Sequence, residues 1–170
     1  MKDLEIKYTL AFCFFSGKVL MLKRIKNPNI NLWNGLGGKI EQGETPTVNI
    51  LRELKEEAGI SEDNIEKTEH KGIVSWEYIN GEKSGGTHLF FIHLKNTDLI
   101  NTLSDEGELD WKDEAWAREV TNTAVVENIP LFLNDAFVNK SLKEYHFIYF
   151  EKNRLKEYFL QDLTIDIESE

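Results

Sequence analysis

The chain has 170 residues, 41% of them hydrophobic and 29% charged, values of a globular protein long enough to bury a core without disulfides or structural zinc. The length fits one domain over residues 1–170 better than two. A formal net charge of −10 argues against broad binding to nucleic acid polymers or anionic membranes, which need basic patches; a small phosphorylated substrate stays open, because bound metal and a few local cations reverse the field inside a cleft.

The N-terminal Met1-Lys2-Asp3-Leu4-Glu5 and the apolar run after it lack the pattern and cleavage site of a secretory leader. No stretch approaches the ~20 apolar residues of a membrane span, so a cytoplasmic location is expected. Residues 6–15 read as a strand rich in aromatic and aliphatic side chains. Cys13, the sole cysteine, lies inside it and is expected to be a small buried hydrophobe. Ser16-Gly17 reads as a turn and Lys18–Arg24 as the hairpin partner. Asn27-Pro28-Asn29 signals a loop, and residues 33–38 are Gly-rich.

A helix follows, with Thr45 as N-cap, Pro46 at the first helical position and Gly59 as its stop. Residues 65–79 and 86–94 read as strands joined through Asn80-Gly81, in a loop lengthened by Lys83 to Gly85. Residues 109–117 read as a strand, and 123–139 as a helix that contains Pro130. Residues 145–150 and 155–160 form a last hairpin around Lys152-Asn153. Strands and helices do not alternate strictly, which points to an α+β fold with a mixed sheet covered by helices.

The chemistry concentrates between Trp33 and Ile60. At 100° per residue Glu53, Glu56 and Glu57 share one helix face. Ile50, Leu51, Leu54 and Ala58 fall on another face and can pack on a sheet. Crowded carboxylates repel, and a hard divalent cation relieves that repulsion. Alone, the pattern reads first as a solvated acidic face, the usual meaning of such a run, and Arg52 as helix decoration pairing with Glu56.

The wider spacing is far more specific. Gly38, Glu44, Arg52-Glu53, Leu54, Glu56-Glu57, Gly59 and Ile60 match every specified position of the Nudix box, and the chain resembles the Nudix hydrolase family. The resemblance implies a Nudix α/β/α sandwich with a mixed central β-sheet. It also implies an enzyme that hydrolyses a phosphoanhydride, with Mg²⁺ as cofactor and Mn²⁺ as a substitute. By resemblance Glu53, Glu56 and Glu57 hold the metal. One of them, or Glu44, orients or deprotonates the water, and Arg52 positions the helix glutamates. Gly37 and Gly38 let the backbone approach closely, and a carbonyl there can be a further oxygen ligand. Glu106, in the loop Ser104-Asp105-Glu106-Gly107-Glu108, resembles the later carboxylate that many members add to the metal.

Trp33 to Lys39, Tyr8-Thr9-Leu10 and the strand at 145–150 resemble the MutT-like subgroup, which cleaves oxidised purine nucleoside triphosphates such as 8-oxo-dGTP. In that subgroup Asn34 would hydrogen-bond the purine; an ordinary turn Asn before Gly35 is the competing reading. Thr9 would line the same pocket. Gly37 and Lys39 belong to the matching segment, and Lys23 and Arg24 could reach phosphates. The acidic pair that some members place before the late helix is absent from Asn122-Thr123-Ala124-Val125, and Glu127 is not equivalent. Trp111 and Trp116 read as core residues ahead of base-stacking ones. ADP-ribose or a dinucleoside polyphosphate is the alternative substrate class. A prenyl-diphosphate isomerase is disfavoured by the context of Cys13, and a non-catalytic nucleotide sensor by the intact box.

Overall fold

The computed structural model describes residues 5–81, 84–98 and 100–163. Residues 1–4, part of the segment read above for leader character, and the loop residue Lys83 lie outside them. In chain order the elements are β1 (Tyr8–Phe15), β2 (Lys18–Arg24), β3 (Trp33–Asn34), α1 (Pro46–Ala58), β4 (Ile65–Tyr78), β5 (Gly85–Leu94), β6 (Leu103–Ser104), β7 (Gly107–Asp113), α2 (Glu114–Arg118), α3 (Ile129–Val138), β8 (Lys143–Tyr149) and β9 (Leu155–Asp162). Among the described residues, nine strands form one mixed sheet in the order β6-β7-β2-β1-β5-β4-β8-β9, with β3 paired to β2. β1 with β5 and β4 with β8 are parallel; the remaining pairs are antiparallel.

The period-2 alternation of β1 sorts its side chains to the two faces. Ala11 and Cys13 join Leu20, Leu22, Phe90 and Ile92 under Ile50, Leu54 and Ala58 of α1. Phe12 and Phe14 join Val19, Met21, Leu89 and Phe91 under Ile129, Phe132, Leu133 and Ala136 of α3. The fold is therefore the α+β sandwich expected, with α1 on one face and α2 and α3 on the other. Burying side chains such as Ile50 and Leu54 completely contributes roughly 2 kcal/mol each, which seats α1 on the sheet at one rotation.

The ends of α1 follow from local chemistry. The Thr45 hydroxyl accepts the Val48 N–H at 3.2 Å, and Pro46 occupies the first turn, where no N–H is needed. Gly59 closes the helix in the left-handed conformation at φ 71°, which a side chain would disfavour.

Two sequence expectations need correction. Residues 109–117 are not one strand: β7 stops at Asp113, opposite Lys18, the first residue of β2. Past that point β2 offers no partner, the Glu114 N–H turns to the Gly17 carbonyl at 3.1 Å, and α2 begins. Nor is 123–139 one helix. Residues 124–126 run beside Trp33 as an isolated bridge at Val125, with the Trp33 N–H donating to the Ala124 carbonyl at 2.9 Å and Val126 donating to the Trp33 carbonyl at 3.0 Å. Only then does α3 start, with Pro130 tolerated in its first turn. The hairpin of β6 and β7 that carries Glu106 had no clear sequence signal.

Candidate active site

Residues 36–40 are pinned along β1. Leu36 and Ala11 exchange hydrogen bonds of 3.0 and 2.6 Å, the Thr9 N–H donates to the Gly38 carbonyl at 2.9 Å, and Ile40 donates to the Lys7 carbonyl at 2.8 Å. This lays Gly37 and Gly38 between β1 and α1. A Cβ on Gly37 would overlap the Thr9 carbonyl, and one on Gly38 would overlap the Glu53 carboxylate. Glycine is needed here for close approach.

Above this segment, Asn49, Glu53 and Glu57 follow one another at four-residue spacing on α1 and so form one stripe. Arg52 stands beside it as a hub. Its Nε and Nη2 grip the two Glu44 carboxylate oxygens at 2.6 and 3.2 Å. Its Nη1 reaches Glu53 at 3.2 Å and Glu56 at 3.1 Å. Glu44 also accepts the Asn49 amide at 2.8 Å and the Glu41 N–H at 2.9 Å. Hydrogen bonding from Arg52, the leading cause, holds the Glu44 carboxyl down at about 2 against the effect of burial. So firmly engaged an anion is a poor proton acceptor near neutral pH. Glu44 thus sits among the predicted site residues as the anchor of Arg52.

Glu57 is buried, 8% exposed, and its carboxylate accepts the Gly37 N–H at 3.3 Å. Burial first, then the charges of Glu106 and Glu53, push its carboxyl up to about 8, opposed by the Gly37 N–H and by Arg24. Burial also raises Glu53, with Glu56 and Glu106 adding to it and Arg52 opposing. Glu106 comes in from the turn between β6 and β7 and pairs with Arg24 Nη1 at 3.2 Å. Glu56 lies at the rim, its side chain 60% exposed. Among the described residues no three acidic, imidazole or thiol side chains close on one point as they stand.

The donor set still fits a hard divalent cation. After burial, the Glu106 charge raises the proton affinity of both Glu53 and Glu57, and Glu53 raises that of Glu57, an electrostatic cost that a cation would relieve. All these donors are oxygens, as Mg²⁺ or Mn²⁺ prefers. Glu53, Glu57 and Glu106 would hold it, with Glu56 joining by side-chain rotation. The Gly38 carbonyl keeps a second lone pair beside its bond to Thr9.

The substrate candidates are dispersed. Arg24 faces the carboxylates but is engaged by Glu106 and by the Pro28 carbonyl at 2.7 Å. Lys23, its neighbour on β2, points by strand alternation to the opposite face. Thr9 is 3% exposed and donates to Asn49 on the α1 face, so its hydroxyl faces the helix and not an open pocket. Asn34 accepts the Gly35 N–H at 2.8 Å, the turn role. The Lys39 side chain is exposed and its carbonyl accepts the Asn49 amide at 2.7 Å. Trp111 packs at the margin of the α1-side core, and Trp116 meets Trp33 edge-on at 6.4 Å. Cys13 is fully buried beneath Glu57, and burial, reinforced by that carboxylate, drives its thiol far above the usual range.

Asn49 escaped the sequence reading. The only sequence signal was spacing: an amide stands four residues before Glu53, in line with Glu53 and Glu57; its burial came from the fold.

The NUDIX domain family profile matches residues 8–124, more than half of the chain. The chain belongs to the Nudix family. Its relatives include the oxidized purine nucleoside triphosphate hydrolase of Mus musculus, 32% identical over 101 residues, which are 59% of this chain and 60% of that protein. The protein of the same description from Danio rerio is 30% identical over 122 residues, 66% of this chain and 73% of that one. Among solved structures, a mutator MutT protein of Bacillus halodurans superposes with a TM-score of 0.71 at 25% identity, covering 91% of this chain and 96% of that one. The Nudix chain thus aligns with about three fifths of the mouse protein's length. Among its described residues no helix is long and apolar enough to cross a membrane.

Proposed function

We propose that this Nudix protein hydrolyses a nucleoside triphosphate to the monophosphate and pyrophosphate, with Mg²⁺ as cofactor, Mn²⁺ as a substitute and oxidised purine nucleotides such as 8-oxo-dGTP as preferred substrates. The observation that carries the reaction class is the buried Glu57 carboxylate crowded by Glu53 and Glu106 beside Gly37 and Gly38. Such a cluster has little use without a cation. A cation held by Glu53, Glu57 and Glu106 would supply charge neutralisation for the phosphate oxygens and a more acidic water. Arg52, locked by Glu44, holds the Glu53 and Glu56 side chains in position.

The purine preference rests on the mouse and zebrafish relatives, both described as oxidized purine nucleoside triphosphate hydrolases, and on the MutT likeness in structure. Release of pyrophosphate from a panel of nucleotides tests both parts. The expected result is Mg²⁺-dependent release with 8-oxo-dGTP turned over fastest. Turnover of ADP-ribose or dinucleoside polyphosphates with none of the triphosphates would overturn the substrate. No turnover of any of these with either metal would overturn the reaction class.

A further inference from the structure

We infer that Asn49 is a positioning residue for the metal site: it ties β1, the backbone that follows Gly38 at the Lys39 carbonyl, and the Glu44–Arg52 anchor into one unit. The inference rests on the reading of the helix glutamates as metal ligands. Asn49 is fully buried, and three of its hydrogen-bonding positions are used. Its Oδ1 accepts the Thr9 hydroxyl at 2.5 Å, and its Nδ2 donates to the Lys39 carbonyl at 2.7 Å and to Glu44 Oε2 at 2.8 Å. Thr9 closes the ring, since its own N–H donates to the Gly38 carbonyl at 2.9 Å.

Each tie sits one covalent or hydrogen-bonded step from a candidate ligand. Gly38 packs directly against the Glu53 carboxylate. The Gly38 carbonyl, the backbone oxygen offered to a cation, takes its direction from Thr9 on one side and from the Lys39 peptide on the other. Glu44 aims Arg52, and Arg52 contacts Glu53 and Glu56. Asn49 controls both arms of this frame at once. Removing its amide frees the Lys39 peptide and takes one of the four donors from Glu44. The carboxylates stay, but their support loosens. Supporting groups of this kind govern metal affinity by about 10- to 100-fold.

The test measures Mn²⁺ binding directly, by electron paramagnetic resonance on the full chain without nucleotide, beside Tm and steady-state kinetics. Asn49→Ala is expected to raise the Mn²⁺ dissociation constant about tenfold or more. The metal concentration for half-maximal activity should rise in parallel, and KM for nucleotide at saturating metal should stay within about twofold. Asn64→Ala is the control. It removes another buried amide, at the far end of α1, bonded to Ser61 and Asn96; it should lower Tm and leave Mn²⁺ affinity unchanged. If Asn49→Ala does not fold, Thr9→Val, which exchanges the hydroxyl for a methyl, should weaken Mn²⁺ binding several-fold, and Thr9→Ser, which keeps the hydroxyl, should bind Mn²⁺ like the unaltered protein. A lowered Tm with wild-type Mn²⁺ affinity in Asn49→Ala, or wild-type affinity in Thr9→Val, overturns the inference. Failure of the unaltered protein to bind Mn²⁺ overturns instead the reading of the glutamates as ligands.

Discussion

Arg52 holds Glu44 with two nitrogens, Nε at 2.6 Å from one carboxylate oxygen and Nη2 at 3.2 Å from the other. A planar fork meeting a carboxylate in this way fixes orientation as well as distance. It leaves the third guanidinium nitrogen free to span Glu53 and Glu56. Lysine, a single point of charge, cannot do both. Arg52→Lys is therefore expected to lower kcat/KM by about 10- to 100-fold and to cost about 1–3 kcal/mol of stability through partners left unmatched. Kinetics and urea denaturation measure the two effects. Near wild-type activity in the lysine variant would show that Arg52 supplies charge alone.

Glu57 gives the metal-free protein a pH dependence of definite sign. Its carboxyl is raised from 4.5 to about 8 in the fold, by burial first and then by Glu106 and Glu53. The folded state therefore holds a proton that the unfolded state has lost. That stabilisation is fully present below the unfolded value of 4.5 and is lost as pH rises through about 8. With a chelator present, urea titrations from pH 4 to about 9 should show a decline that Glu57→Gln does not share. Adding Mg²⁺ should remove most of the difference at the alkaline end. A parallel decline in the glutamine variant would place the titrating group elsewhere.

Glu106 enters the same cluster from a distant turn. After burial it is the largest influence raising Glu57. In metal-free protein, Glu106→Gln should move the Glu57 titration down from about 8 toward the ordinary carboxylate value, as read by carbon-detected NMR. The same variant should raise the Mg²⁺ concentration for half-maximal activity several-fold. An unmoved Glu57 would remove Glu106 from the site.

Gly37 and Gly38 separate two kinds of constraint. A Cβ on Gly37 meets the Thr9 backbone, which cannot yield, whereas one on Gly38 meets the end of the flexible Glu53 side chain. Gly37→Ala should accordingly fail to give folded protein, or lower Tm by more than about 10 °C. Gly38→Ala should fold with Tm within a few degrees yet lose about tenfold or more in Mn²⁺ affinity. Thermal melts and Mn²⁺ titration distinguish the cases, and equal effects at the two positions would contradict this division.

Glu53→Gln combined with Glu57→Gln tests the carboxylates themselves. Turnover should fall by on the order of 10³-fold or more, with circular dichroism unchanged and metal-free Tm equal or higher. Retained turnover would remove these residues from the chemistry.

Much of this was legible in the sequence wherever the cause is local. Thr45, Pro46 and Gly59 mark the ends of α1 because caps and turns act within four residues. The spacing of Glu53, Glu56 and Glu57 follows from 3.6 residues per turn. β1 and β2 followed from two apolar runs, the first rich in aromatics, joined by the two-residue turn Ser16-Gly17. The strand at 109–117 and the helix at 123–139 were misread because both depend on partners, the end of β2 for one and Trp33 for the other. The hub residues Arg52 and Glu44 lie close in sequence and were read with the box, but the roles that divide them come from packing.

Local sequence is enough to specify the acidic helix: its limits, its apolar face and a spacing of carboxylates that suits a cation. Tertiary structure alone decided what each carboxylate experiences. Glu56 and Glu57 are adjacent in the chain, yet one is exposed at the rim and the other buried against Gly37. Glu106 is remote from both in sequence and close in space, and Thr9 meets Asn49 across forty residues. Capping and periodicity are short-range properties of the backbone. Desolvation and Coulomb repulsion depend on which surfaces the fold brings together, and only the packed sheet and helix specify that.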